Sequence, residues 1–219
     1  TSGIIKYLGT EPMIVSSQTD TGVRVVTENP TRTGPDRIVN AAAGYAIAGG
    51  PAIVVDFGTA TTYDLIGPEC TLEACVIAPG IETAGRSLWD GAAMLPAIQI
   101  RRPESVLASE TISGMQAGLV YGAIGQTEYI VKKMKESLEN KLGIEITKGF
   151  TAIPPGVESG SVKAIVNVIE SADIEIIKVV DEPTAAAKVL KIKNGAVVDV
   201  GGGTTGISIL KDGKVIFTA

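Results

Sequence analysis

At 219 residues the chain suits one large domain or two small ones, ample for a real core. Hydrophobic residues make up 45% and charged residues 20%, the balance of an ordered globular protein, and 24 acidic against 19 basic residues leave a net charge of −5, which removes a general electrostatic footprint for nucleic acid. The absence of histidine excludes Ser-His-Asp and Cys-His catalysis and histidine-bearing zinc sites, and Cys70 and Cys75 alone provide neither a four-cysteine zinc site nor a disulfide framework.

Chemistry is therefore left to carboxylates, hydroxyls, backbone N–H groups, lysines, arginines or a bound cation. The longest uncharged stretch, Ile38 to Val55, is interrupted by Gly49-Gly50-Pro51, so no membrane partner is expected. A soluble protein of a reducing, cytoplasmic compartment is the expectation.

In chain order, the first elements are a short helix at Ile4–Leu8, without an initiating Met, as in an excised piece, and strands at Met13–Ser16 and Val23–Val26. Thr33 precedes Gly34-Pro35-Asp36, a helix entry with proline and an acid in the first turn, and the helix stops at Gly49-Gly50. Ala52–Phe57, Thr62–Ile66 and Leu72–Ala78 read as three strands joined by tight turns. Helices follow at Ile81–Leu95 and Thr111–Leu142; Gly118, Gly122 and Gly125 on the second permit close packing against a neighbour. Strand Phe150–Ile153, helix Val162–Ser171, strand Ile174–Val180 and helix Pro183–Leu190 then alternate, and a second meander closes the chain at Ala196–Val200, Gly206–Leu210 and Lys214–Phe217.

Three meandering strands followed by alternating helices and strands predict an α/β fold. The expected form is a ribonuclease-H-like mixed sheet flanked by helices, with an incomplete second copy. The expected division is a partial segment 1–50, a complete domain 51–194, and a meander 195–219 that completes a second domain with 1–50 in the same chain or another. Exposed meander edges favour a homodimer by segment exchange.

An internal repeat is the most informative feature. Residues 54–62 (VVDFGTATT) and 197–205 (VVDVGGGTT) match at six of nine positions, 143 residues apart. Each sits at the end of an apolar strand and opens a tight turn. Glycines let backbone N–H groups approach an anion, hydroxyls add donors, and a strand-end aspartate holds Mg²⁺ through water against phosphate oxygens. Gly58, Thr59 and Thr61 in one copy, and Gly201, Gly202, Gly203, Thr204 and Thr205 in the other, are the phosphate-binding candidates, with Asp56 and Asp199 as metal ligands. The plain alternative is a pair of Gly-rich hairpins with an aspartate capping each turn. The few aromatics, Trp89 among them, are too scattered for a base-stacking platform.

These residues resemble the actin-like ATPase superfamily, through two members. Residues from about 12 to 138 resemble a type III pantothenate kinase, on Glu28-Asn29-Pro30, Gly34-Pro35-Asp36-Arg37, Asp56–Thr62, Ile77–Ile81, Leu95-Pro96 and Thr111 with Met115–Gly122. Residues from about 143 to 219 resemble the ethanolamine-utilization protein EutJ and the DnaK-type chaperones. The carriers there are Ile153–Gly156, Asn167–Ala172, Asp181–Ala187 and Val197–Leu210.

The resemblance implies ATP and Mg²⁺ as cofactors, a monovalent cation at Asp56, a nucleotide contact at Thr59, a general base at Asp36, and substrate contacts at Gly34, Arg37 and Thr111. From the chaperone side it implies a Mg²⁺-proximal acid at Glu182. The same residues also fit as helix-entry acids, a surface arginine and an N-cap threonine. Both resemblances are truncated, which implies an engineered chimera joined near Glu139–Lys148. The expected function is a scaffold with two phosphate loops, weak Mg-nucleotide binding and little turnover. The alternatives are ATP-dependent pantothenate kinase activity and a EutJ-like chaperone acting by partner binding.

Overall fold

Ten of the 28 residues in 52–79 are Val, Ile or Thr, which favour extended backbone, and the segment forms three antiparallel strands. The computed structural model describes residues 2–143, 145–153, 159–171, 173–200 and 205–218. Its elements are α1 (Ser2–Leu8), β1 (Arg24–Val25), α2 (Pro35–Ala48), β2 (Ala52–Phe57), β3 (Ala60–Ile66), β4 (Thr71–Pro79), α3 (Ile81–Gly91) and α4 (Thr111–Leu142). They continue with β5 (Lys148–Ile153), α5 (Ser159–Glu170), β6 (Glu175–Asp181), α6 (Glu182–Val189), β7 (Gly195–Val200), β8 (Thr205–Lys211) and β9 (Lys214–Thr218).

One sheet has the order β1-β4-β3-β2-β5-β6, with the β2-β3-β4 meander antiparallel and β5 and β6 parallel to β2. This is the ribonuclease-H-like arrangement predicted from the element order. Register sorts its residues. Ala52, Val54 and Asp56 share a face with Ile66, Asp64 and Thr62, whereas Ile53, Val55 and Phe57 share the other with Leu65, Tyr63 and Thr61. The first face packs against α2, whose Ala41 and Ala43 join Ala52, Val54, Ile66 and Leu72 in one core; alanines let the helix lie close. The second face packs against α4 and α5 through Val131 and Ile169, around Ile53, Val55 and the fully buried Tyr63. Each such large side chain contributes about 1.5–3 kcal/mol by leaving water.

The second sheet, β7-β8-β9, is separate. Gly206, Ser208 and Leu210 of β8 are buried and alternate with exposed residues, and α6 lies against β7 and β8. Residues 1–50 are built into the large sheet instead: β1 pairs with β4 and α2 covers a face. Within one chain, therefore, the meander takes no described strand from 1–50.

Three local expectations differ from the structure. Met13–Ser16 is not a strand, because the Thr19 hydroxyl accepts from the Ser16 backbone N–H and donates to the Ile14 carbonyl, occupying groups a strand partner would need. The helix expected to reach Leu95 ends at Gly91, where Ala92 turns extended. Gly118, Gly122 and Gly125 meet no neighbouring element: nothing lies within 4 Å of where a side chain would start. The packed face of α4 carries Met115, Ala117, Thr127, Val131 and Leu138 instead. Among the described residues no helix is long and apolar enough to cross a membrane.

The Tyr63 and Thr127 hydroxyls hydrogen-bond at 3.0 Å, both buried, tying β3 to α4. Thr127→Val strands the phenol hydroxyl, so urea denaturation is expected to show a loss of about 1–3 kcal/mol, and adding Tyr63→Phe should recover part of it.

Candidate functional site

The β2–β3 connection is a tight hairpin: Phe57 pairs with Thr61, and the Gly58 N–H donates to the Ala60 carbonyl at 3.1 Å. A second segment braces it. The Gly80 N–H donates to the Thr59 carbonyl at 3.1 Å and the Thr83 hydroxyl donates to it at 2.6 Å, so the start of α3 is pinned to the hairpin. Gly80 is required here, because a side chain would collide with the Gly58 carbonyl oxygen. Thr59 is exposed at the tip, whereas Thr61 and Thr62 are buried on opposite faces of the sheet.

Beneath the hairpin, at the end of β2, Asp56 is buried and accepts a 3.0 Å hydrogen bond from the Asn40 side-chain amide on α2. The Asn40 carbonyl oxygen is buried and has no hydrogen-bond partner among the described residues. A carboxylate and an amide oxygen are both hard donors, so this corner fits a hard cation better than any soft one. Across the described residues no group of three or more Cys, Asp and Glu is arranged to hold a metal, so a cation here would draw further ligands from phosphate or water.

One turn earlier on α2, Arg37 grips Asp64 of β3, with Nε donating to Oδ1 at 2.9 Å and to Oδ2 at 3.2 Å. Both side chains are nearly buried. Burial pushes the Asp64 carboxyl above the usual range, the hydrogen bond and charge of Arg37 oppose that, and the nearby Asp36 carboxylate adds to it. Burial also works against the Arg37 charge, but the hydrogen bond and charge of Asp64 outweigh it and hold the guanidinium above its ordinary value. Asp36 sits in the first turn of α2, where the helix dipole favours an acid, and its carboxylate lies over Gly34, which leaves no room for a side chain there.

The predicted residues thus fall into separate groups. Gly34, Asp36 and Arg37 gather at the start of α2 beside Asp64, and Asp56, one turn further along the helix through Asn40, lies next to Gly58. Arg37 is engaged with Asp64. Thr111 lies apart as the exposed first residue of α4; Glu110, not Thr111, is the N-cap. Glu182 opens α6, with its side chain outside the described residues, as are Gly201, Gly202, Gly203 and Thr204. Asp199 is half-buried on β7, paired with Gly206, on the face that α6 lies against, and Thr205 is exposed at the start of β8. Sequence reasoning missed Asn40 and Asp64. Both carried a signal: each is a single polar residue inside an apolar run, Val39-Asn40-Ala41 and Tyr63-Asp64-Leu65.

A mixed sheet of this order, with helices on both faces and a Gly-Thr hairpin after a strand-end aspartate, defines an actin-like ATPase fold. Comparison with known proteins carries this further. The sequence profile of the type III pantothenate kinase family matches residues 1–133, and that of the Hsp70 protein family matches residues 108–218. A type III pantothenate kinase of Agathobacter rectalis is 51% identical over 135 residues, covering 62% of this chain and 52% of its own length. Another, from Bacillus cytotoxicus, is 44% identical over 148 residues, covering 68% and 56%.

The crystal structure of the ethanolamine utilization protein EutJ from Carboxydothermus hydrogenoformans aligns with TM-score 0.50 and 25% identity over 85% of this chain and 61% of that one. The protein therefore belongs to the type III pantothenate kinase family through residues 1–133 and to the Hsp70 family through residues 108–218, a chimera of two actin-like ATPase families. It spans about half the length of the curated relatives it matches.

Arg37→Gln leaves the Asp64 carboxylate buried without its cation, and a loss of about 3–5 kcal/mol is expected by denaturant titration at neutral pH. A buried carboxyl with a raised pKa favours the fold when protonated, and that contribution disappears as pH rises through the folded value. Removing Arg37 raises Asp64 further, so the variant's deficit should be smaller near pH 4 than near pH 7.

Proposed function

We propose that the protein is a nucleotide-binding scaffold, an engineered recombination of its two parent families, that holds the phosphates of a magnesium nucleotide at the Gly58–Thr62 hairpin and turns it over little. The observation that carries this reading is the Asn40–Asp56 pair, a buried carboxylate and an unpartnered amide oxygen directly beneath a hairpin of glycine and threonines. Thr59, exposed at the hairpin tip, offers its hydroxyl to phosphate oxygens, and Asp56 with Asn40 supplies oxygen ligands to a divalent or monovalent cation beside them. A bound magnesium ion would neutralise phosphate charge. Asp199 and residues 201–205 are proposed as a second phosphate loop.

Low turnover is expected because phosphoryl transfer depends on several loops, metal and base acting together, and residues 1–133 match the family of a protein of which this chain spans half. The apolar, exposed side of β7 and β8, with Val198, Val200, Ile207 and Ile209, supports association by segment exchange into a homodimer.

A second reading is retained pantothenate kinase activity, with Asp36 as base toward the substrate hydroxyl. It is favoured by the 51% identity to a type III pantothenate kinase over 135 residues and by the position of Asp36 in the first turn of α2, beside the Arg37–Asp64 pair. A coupled assay with ATP and pantothenate separates the two: the scaffold reading expects turnover equal to that of Asp36→Ala, and activity lost in that variant would favour the kinase.

Thermal melts with Mg-ATP test binding itself. Stabilisation of about 2.7 kcal/mol is expected at a hundredfold excess over the dissociation constant, and it should shrink in Asp56→Asn; no shift with millimolar nucleotide would overturn the reading.

A further inference from the structure

Beyond the hairpin, α3 carries a second cavity. It has a volume of about 430 Å³ and lies between α3 and the extended segment 98–101. One wall is apolar. The indole of Trp89 folds back over Gly85, meeting the space a side chain would take at 2.9 Å, and Ile100 closes in from the other side at 3.2 Å. A glycine at 85 is what leaves room for the indole there. The lining is also cationic: Arg86, one turn before Trp89 on α3, and Arg101, next to Ile100, both line the cavity.

The frame around the cavity is fixed at both ends. Thr83 ties α3 to the Thr59 carbonyl, and the Gln116 amide on α4 donates to the Gln99 carbonyl at 2.9 Å. Arg101 is oriented by donating to the Gln99 side-chain oxygen. Neither Arg86 nor Arg101 has a carboxylate within ion-pair distance among the described residues. With Glu82 as the single acid on the lining, the cavity carries a net positive charge in a protein whose total is −5. Two guanidinium groups without carboxylate partners beside an indole face form a recognisable chemistry. Guanidinium forks match oxyanions, and an indole accepts a flat ring in offset stacking.

We propose that this cavity binds a small aromatic anion, an aryl carboxylate or aryl phosphate, with its ring against Trp89 and its oxyanion on Arg86 and Arg101. With Glu82 opposing the two arginines the lining carries one positive charge in excess, so the site selects a single compact oxyanion attached to a ring over a highly charged polyphosphate. The site is distinct from the hairpin, and its occupancy does not depend on nucleotide binding there.

Trp89 is the one tryptophan of the sequence, so its emission reports on this cavity alone. The full chain is titrated separately with benzoate, phenyl phosphate, inorganic phosphate and benzyl alcohol. A saturable emission change is expected with benzoate or phenyl phosphate, at least about tenfold tighter than with inorganic phosphate or benzyl alcohol, and which of the two binds tighter identifies the oxyanion. Arg86→Gln and Arg101→Gln, each an exposed position, should weaken it about tenfold while melting like the parent. Absence of a saturable change with either aryl anion would overturn the proposal. So would equal binding of benzyl alcohol, or affinity unchanged in both variants.

Discussion

The grip of Arg37 on Asp64 is the interaction on which the arrangement of the site depends. It joins the first turn of α2 to the central strand of the meander, across the sheet face that also carries Asp56 and Thr62 beside an apolar core. A buried ion pair of this kind costs desolvation on both sides and adds little net stability over an apolar pair, but it fixes position strongly because either partner alone is expensive. With α2 held at that point, Asn40 falls opposite Asp56 and Asp36 falls at the mouth of the helix. The bidentate geometry sets rotation as well as distance, which a contact between alanine and valine does not. The candidate site and the fold therefore share one anchor.

Much of this was legible in the sequence, and the reason is periodicity. The strand runs at 52–57, 62–66 and 72–78 alternate or repeat β-branched residues between glycine and proline punctuation, and the helix at 111–142 shows its apolar stripe directly. The repeat of 54–62 at 197–205 was visible because it is a short pattern of fixed spacing. What could not be read was partner choice across the fold. Arg37 and Asp64 are 27 residues apart and nothing local links them. The sequence offered Arg37 as a surface or substrate-facing residue, and only the register of β3 against β2 turns Asp64 inward to meet it. The glycines of α4 misled for the same reason: spacing announces a smooth helix face, not whether anything lies against it.

The seam between the two family matches runs through ordinary physics rather than through a linker. The pantothenate kinase match ends within α4 and the Hsp70 match begins at its N-terminal side, so the helix belongs to both. Beyond it, β5 pairs parallel with β2, Val54 to Phe150 and Asp56 to Ala152, and the Thr151 hydroxyl donates to the Val55 carbonyl at 3.1 Å. Lys135 on α4 donates to the Asp173 carbonyl, just ahead of β6. The core over the second face mixes Val55 and Tyr63 with Ile169 and Ile174. Backbone pairing is indifferent to ancestry, and a core accepts apolar residues of the right volume from either parent.

The two sheets stand differently with respect to burial. The six-stranded sheet is covered on both faces across its central strands, and its strands sit among side chains from four helices. The three-stranded sheet leans on α6 by one face only, while β9 is exposed throughout and Ile207 and Ile209 face solvent. A meander with a single covered face buries about half the apolar surface of a sandwiched one, so its local opening free energy lies well below that of the large sheet. That asymmetry bears on the site. Asp199 rides on β7, on the side toward α6, and α6 in turn packs against α2, the helix that holds Asn40 and Asp36. The contact between α6 and α2 thus joins the strand that carries Asp199 to the helix that carries Asn40. At one end of this connection the hairpin is braced by Gly80 and Thr83; at the other the meander buries one face only.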